Sequence, residues 1–214
     1  MTTPKPTNPL DSIKEDPALD EVSMTARQFE DGTSAAVRTL GRNHGLEVVF
    51  AGDQAKTNGQ RVMLPSQPEG KLMTKRQVQV GRGYADHETL HNLMTDFAKA
   101  GPKLAKFKAD GKMLLERMCQ GVEDMRIEHG GGKLYPGMPA SLNDTTGYSA
   151  KYFLDGAYRK DPSVSSEFKR IGPVAVTWAA RQKMGYDSPF IEAALSTLTP
   201  EMRATVDKWA DAVL

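Results

Sequence analysis

Two histidines and a glutamate stand at a spacing that can bind a metal ion and use it. His87, Glu88 and His91 form the pattern H-E-x-x-H. Each residue of a helix turns by about 100°, so His87 and His91 lie on one face and can bind the same ion. Glu88 is rotated off that line, which suits a carboxylate that accepts a proton from activated water. The pattern therefore predicts a zinc site, with Glu88 as general base.

The residues around this motif predict the helix that it needs. Neither proline nor glycine lies between the histidines, and apolar residues follow at the spacing of a buried stripe: Leu90, Leu93, Met94 and Phe97. On a helical wheel the stripe falls beside the histidine line, with Glu88 on the far flank. A surface helix with two chance histidines is the alternative. The metal site is favoured because two of the 4 histidines in the chain stand in this motif.

A catalytic zinc ion usually takes three protein ligands and leaves one position for water. The third ligand is expected from the acidic segment of a second predicted helix. Glu123 is the first choice, because it lies on the flank between the buried and exposed faces of that helix. Asp124 and Glu128 share a more exposed face, and His129 stands at the predicted helix end. The alternative for the whole cluster is a solvated, charged helix surface.

The rest of the chain alternates between short strands and helices. Turn residues separate strands predicted at 46–50 and 61–64, which should form a hairpin or small sheet ahead of the metal helix. The glycines at 130–132 are expected to end the acidic helix, and a loop should follow them. The predicted helices cover residues 23–42, 112–128, 148–159, 164–184, 189–196 and 199–213, with Pro173 as a break or kink.

This order of elements predicts an α+β fold that is mainly α-helical. It consists of a small N-terminal β-sheet or hairpin, the H-E-x-x-H helix, the acidic ligand helix and C-terminal helices. Three parts are expected. Residues 1–22 form a flexible, proline-rich arm. Residues 23–145 form the metal-binding core, and residues 146–214 form a helical part packed on that core.

Composition excludes several classes of protein. The 214 residues include 39% hydrophobic and 26% charged residues, with a net charge of +1, so no strong field attracts nucleic acid or an anionic membrane. The basic run at 99–112 is expected to be a solvated surface. No apolar run approaches the length of a membrane span, and no secretory signal is evident. The single Cys119 fits a reducing compartment, so the cytoplasm is expected.

The sequence also resembles a known group of proteins. The strand pair is followed by G-Y-A-D-H-E-T-L-H-N-L-M-T-D-F, then by V-E-D-M-R-I-E and L-Y-P-G. This order is similar to that in phage and bacterial proteins described as cobaltochelatase T-subunit-like, which carry a zincin-type metallopeptidase-like region. The similarity covers roughly residues 45–140.

The resemblance implies a fold and a mechanism. In a zincin, His87, His91 and an acid would hold Zn²⁺, and Glu88 would pass a proton from water to the leaving amine. The strand at 61–64 would be the edge along which an extended peptide substrate pairs. Tyr135 is the chosen donor to the developing oxyanion, with His129, Tyr148 and Arg126 as alternatives.

Two functions are therefore expected. The first is a zinc-dependent metallopeptidase that acts on a peptide or protein. The second is a non-catalytic module with a zincin-like fold, which would work with an ATPase or a phage component, as the resemblance implies. A role in nucleic-acid binding is a distant third possibility, since it rests on the lysine run alone.

Overall fold

The computed structural model describes residues 8–214, and in this range the chain is mainly helical with two small sheets. The strands are Val22–Thr25 (β1), Glu47–Phe50 (β2), Lys56–Thr57 (β3), Arg61–Leu64 (β4) and Leu72–Thr74 (β5). The helices are Ala26–Leu40 (α1), Lys75–Met94 (α2), Phe97–Ala109 (α3), Met113–Leu134 (α4), Met138–Phe153 (α5), Phe168–Lys183 (α6), Pro189–Ser196 (α7) and Pro200–Val213 (α8). This confirms the expected α+β class with a majority of helix.

The flexible arm predicted at 1–22 lies partly outside the described residues, which begin at position 8. From there the chain makes two 3-10 turns, Pro9–Ser12 and Pro17–Asp20. Asn8 accepts a hydrogen bond from the Leu10 amide and donates one to the Leu154 carbonyl, both at 3.0 Å. The end of this segment near Asn8 is therefore held by side-chain contacts.

The predicted strands at 46–50 and 61–64 exist, but they do not form a hairpin. β2 and β4 run parallel, and the short strand β3 pairs antiparallel with β4 on its other side. The segment between β2 and β4 contains β3, so these two strands are not joined by a tight turn. β4 is thus the central strand of the order β2-β4-β3. The expectation that residues 61–64 form a free edge for a peptide is wrong, since both sides of β4 are already paired.

Helix α2 carries the H-E-x-x-H motif, and its start is well defined. Thr74 caps the helix: its hydroxyl accepts from the Gln77 amide, while the Gln77 side chain accepts from the Thr74 amide. The helix continues through Gly81 and Gly83. A Cβ on Gly83 would lie 2.3 Å from the Ser141 carbonyl oxygen. Glycine therefore allows α5 to approach α2 closely at this point.

The prediction that the acidic helix ends at 130–132 is wrong. Helix α4 continues through the three glycines to Leu134. A Cβ would lie 2.4 Å from Met94 Cε if placed on Gly130, and 2.3 Å from Leu90 Cδ2 if placed on Gly131. Met94 and Leu90 belong to α2, so the glycines mark where the two helices touch. Close packing outweighs the low helix propensity of glycine here.

Two further boundaries differ from the prediction. The loop expected up to residue 147 is confined to the turn before Met138, where α5 begins. Pro139 is the second residue of α5 and is tolerated there, because the first amides of a helix have no partner within the helix. Residues 97–109 form a helix, α3, that was not among the predicted helices, and Pro102 lies inside it. The carbonyl that this proline leaves without its helical partner belongs to Ala98, which is exposed.

The described part of the chain forms two compact units. One consists of residues 15–111 and 126–145, and its core includes Val37, Leu46, Val62 and Leu64. The other consists of residues 8–14, 112–125 and 146–214. In this unit α6 packs against α8, and the ring of Trp178 lies 5.5 Å from that of Phe153. The division falls within α4, which is one continuous helix.

The C-terminal helices were predicted with nearly correct limits. α7 matches the expected segment, and α8 begins after Thr199, whose hydroxyl accepts from the Met202 amide. Pro173 lies inside α6 and does not break it. Among residues 8–214, no helix is both long and apolar enough to span a membrane.

Candidate metal centre

The two histidines of the motif face the same side of α2. Their ring centroids are 4.8 Å apart, and the ring planes meet at 84°. Both side chains are half-buried. Residues four apart on a helix are expected to stand one above the other, and this arrangement places His87 and His91 next to each other at the protein surface.

Each imidazole uses its Nδ1 atom in a contact with the protein. His87 Nδ1 lies 3.0 Å from Glu128 Oε1, and the Glu128 side chain is only 1% exposed. His91 Nδ1 lies 2.9 Å from the hydroxyl oxygen of Thr95, one turn further along the chain. A histidine that donates from Nδ1 has an unprotonated Nε2, which is the form that binds a metal ion. The Glu128 carboxylate favours this form in His87 because it accepts, whereas the Thr95 hydroxyl can either donate to His91 or accept from it.

Helix α4 reaches the histidines because its glycines let it approach α2. Glu128 precedes Gly130 and Gly131, the two positions that touch α2. Arg126 adds a second link, since its guanidinium donates to the Met94 carbonyl at 2.7 Å, at the C-terminal end of α2. The glycines and Arg126 thus fix the two helices together beside the candidate site. The sequence pattern predicted a helix end at these glycines and gave no sign that they contact α2.

The acids of α4 differ in their relation to the histidines. In the described part of the chain, His87, His91 and Asp124 offer one potential ligand atom each, all within 4.8 Å of one another. Asp124 precedes Glu128 by one turn of the same helix. Ligands of a tetrahedral zinc ion lie about 3.3–3.6 Å apart, which is within this limit. Two imidazoles and one carboxylate are a donor set that zinc accepts.

Glu123, the first choice as third ligand, is not in this group. It is half-buried on α4, next to Asp124. Adjacent residues on a helix point about 100° apart, so Glu123 and Asp124 cannot both face the histidines. His129, the other alternative, is exposed. The sequence pattern favoured Glu123 because it lies on the half-buried flank of the helix when that helix is considered alone.

Glu88 is buried, with 5% of its surface exposed. It lies on the flank of α2 that also carries Asn92, one turn later. The Asn92 amide group donates to the Glu88 carbonyl and to the Thr57 hydroxyl oxygen, both at 2.9 Å. Thr57 belongs to β3, so this flank faces the small sheet. Leu90 on the other flank faces α4. The histidine line therefore lies between the sheet side and the α4 side of the helix.

Tyr135, the chosen oxyanion donor, makes a hydrogen bond within the protein. Its hydroxyl donates to the Leu40 carbonyl at 2.9 Å, and a phenol has a single proton to donate. The hydroxyl thereby links the end of α4 to the end of α1.

A family model for the cobalamin biosynthesis protein CobT matches residues 24–159 of the chain. The chain belongs to the CobT family. This confirms the cobaltochelatase-related part of the expected resemblance. The match gives no evidence for a zincin-type region. The comparison with curated proteins found no match, and neither did the comparison with solved structures.

All the candidate site residues of this CobT-family chain lie within the matched range. They include Asp86, which precedes the motif and which sequence analysis did not select. Burial raises the pKa of Asp86 above its usual value, although the Ser141 hydroxyl, which donates to its carboxylate, and the charge of Arg82 act in the opposite direction. This pair joins α5 to α2 one residue before His87.

Proposed function

We propose that this CobT-family protein binds a zinc ion at His87, His91 and Asp124 and hydrolyses peptide bonds. One observation carries the proposal: His87, His91 and Asp124 each offer one potential ligand atom within 4.8 Å of one another, and the Glu128 carboxylate contacts Nδ1 of His87. A chance pair of histidines on a surface helix would not require a buried carboxylate behind one ring.

The zinc ion and Glu88 have separate roles in the proposed hydrolysis. A zinc ion would polarise the carbonyl under attack and lower the pKa of water toward neutrality. Glu88 is the proposed general base, which takes a proton from the attacking water and returns it to the leaving amine. Its position next to His87 in the chain and its burial away from bulk solvent support this role.

A second function is favoured by two specific observations. β4 is paired on both sides, so it offers no edge to an extended substrate. The Tyr135 hydroxyl donates to Leu40 and provides no oxyanion contact. Both features fit a non-catalytic module that recognises a partner protein, such as an ATPase or a phage component, with the metal ion as a structural element. The family description would place either function in cobalamin biosynthesis, and we propose a cytoplasmic location.

The deciding experiment measures metal content and hydrolysis on the same preparations. The full chain, Glu88→Gln and His91→Ala would be purified, analysed for bound zinc and incubated with a peptide library read by mass spectrometry. We expect about one zinc ion per chain in the first two proteins and none in His91→Ala. Hydrolysis should fall by about 10²–10⁴-fold in Glu88→Gln.

Glu116→Gln is the matched control, because it removes one carboxylate from α4 well before Asp124. It should retain zinc and hydrolysis. Zinc bound at one ion per chain with no cleavage of any peptide would contradict the peptidase and favour the non-catalytic module. Zinc absent from the unaltered chain would contradict the metal centre as well.

A further inference from the structure

The buried carboxylate of Glu128, on α4, lies at hydrogen-bond distance from one of the two motif histidines. Its side chain is 1% exposed, and Oε1 lies 3.0 Å from His87 Nδ1. A carboxylate placed there is costly unless a donor satisfies it. The Nδ1–H of His87 is such a donor, so the contact determines where the imidazole carries its proton.

We propose that Glu128 is a positioning residue that holds His87 in the tautomer protonated at Nδ1, with Nε2 directed to the metal ion. The effect of Glu128 on metal binding rests on the proposed function, whereas the tautomer of His87 is a property of the metal-free protein. Free neutral imidazoles usually carry the proton on Nε2, which would block the metal. A carboxylate at Nδ1 reverses this preference and makes Nε2 a better electron-pair donor.

The geometry separates this role from that of a ligand. Glu128 Oε1 is at hydrogen-bond distance from the ring nitrogen that faces α4, and the group of potential ligands contains Asp124 in its place. The two acids are four residues apart on one helix, so they share a face and reach different atoms of the same site. One acid would bind the ion while the other orients the histidine.

The neighbouring contacts keep Glu128 in this position. The helix around it is held against α2 by Gly131, where a Cβ would overlap Leu90, and by the hydrogen bond from Arg126 to the Met94 carbonyl. The corresponding contact of His91 is with a neutral group, because its Nδ1 contacts the Thr95 hydroxyl. At Nδ1, His87 contacts a carboxylate and His91 a hydroxyl, so His87 should show the stronger preference for the Nδ1–H tautomer.

The tautomer can be measured by ¹⁵N NMR of the imidazoles in metal-free, full-length protein above the pH at which the histidines are neutral. We expect the His87 Nδ1 to be protonated and Nε2 to be unprotonated. In Glu128→Gln the population should move toward the Nε2–H form, because a neutral amide is a weaker acceptor. Zinc affinity, measured by competition with a chromophoric chelator, should fall about 10–100-fold.

Glu116→Gln serves again as control and should change neither quantity. A His87 that carries its proton on Nε2 in the unaltered protein would overturn the proposal, even if Glu128→Gln fails to fold. So would a folded Glu128→Gln protein with the original tautomer and zinc affinity. A protein with the expected tautomer that does not cleave peptides would support this proposal and contradict only the peptidase.

Discussion

The Leu90 side chain of α2 lies against Gly131 of α4 so closely that a Cβ on Gly131 would come within 2.3 Å of Leu90 Cδ2. Leu90 is fully buried, so its side chain has no free space into which it could move. The contact lies one residue before His91 and three residues after Glu128. It is therefore the packing that sets the distance between the two helices of the candidate metal centre.

Gly131→Ala should separate these helices. The added methyl group would overpack the contact at a cost of about 1–3 kcal/mol, against a gain in helix propensity of about 1 kcal/mol. We expect a lower free energy of unfolding in urea, together with weaker zinc binding, since the distance from Glu128 to His87 would increase.

Gly32→Ala is the control for helix propensity. Gly32 lies inside α1, and no atom lies within 4 Å of the position of an added Cβ. This variant should be stabilised by about 0.5–1 kcal/mol. If Gly131→Ala were stabilised to the same extent, with zinc affinity unchanged, the tight contact between α2 and α4 would be disproved.

Some of this architecture follows from local sequence, and some depends on packing between distant segments. The spacing of His87 and His91 and the N-cap at Thr199 are local signals, so the motif helix and α8 were predicted. The residue that packs against a glycine from another helix cannot be identified from the local sequence. Gly131 has low helix propensity on its own, and only the presence of Leu90 explains why it lies within α4. The same applies to Glu128, whose burial requires α2.

Strand direction is the clearest example of information that local pattern lacks. Val62 and Leu64 are buried and alternate with less buried neighbours, as a strand with one face on the core should. That pattern is the same for parallel and antiparallel neighbours. Because the short strand β3 contains only Lys56–Thr57, it was not recognised, and β4 was assigned to the edge of the sheet.

Tyr135→Phe tests whether the phenol acts in packing or in catalysis. Loss of the hydrogen bond to the Leu40 carbonyl should lower the free energy of unfolding by about 0.5–1.5 kcal/mol. Any peptide hydrolysis measured for the unaltered chain should keep its kcat. A reduction of kcat by about 100-fold or more, with unchanged stability, would restore Tyr135 as the oxyanion donor.

Asp161 provides a prediction about pH. The pKa of its carboxyl lies below its usual value, first because the Ser163 hydroxyl donates to it and second because the Arg170 guanidinium does. A pKa lowered in the folded state means that the unfolded chain binds more protons. The stability contributed by this carboxylate is therefore present above pH about 4 and is lost as the pH falls through the folded-state pKa.

Asp161→Asn isolates that effect. The unaltered protein should have a higher urea midpoint than the variant at pH 6–7, and the difference should shrink as the pH falls below about 4. Asparagine keeps an oxygen that can accept from the Ser163 amide, so this hydrogen bond is largely preserved. A difference that stays constant between pH 7 and pH 3 would show that the charge of Asp161 does not stabilise the fold.

Asp124→Asn and Glu123→Gln decide which acid completes the metal centre. The two residues are adjacent on α4, but only Asp124 belongs to the group with His87 and His91. Removal of a ligand charge should weaken zinc binding by more than about 100-fold, a larger loss than that expected for a residue outside the coordination sphere. Glu123→Gln should change zinc affinity by less than about 3-fold, as expected for a half-buried acid that points elsewhere on the helix. The reverse order of the two losses would return the third position to Glu123. Since both variants remove one negative charge from neighbouring positions, a difference between them reflects direct coordination and not the general field of the helix.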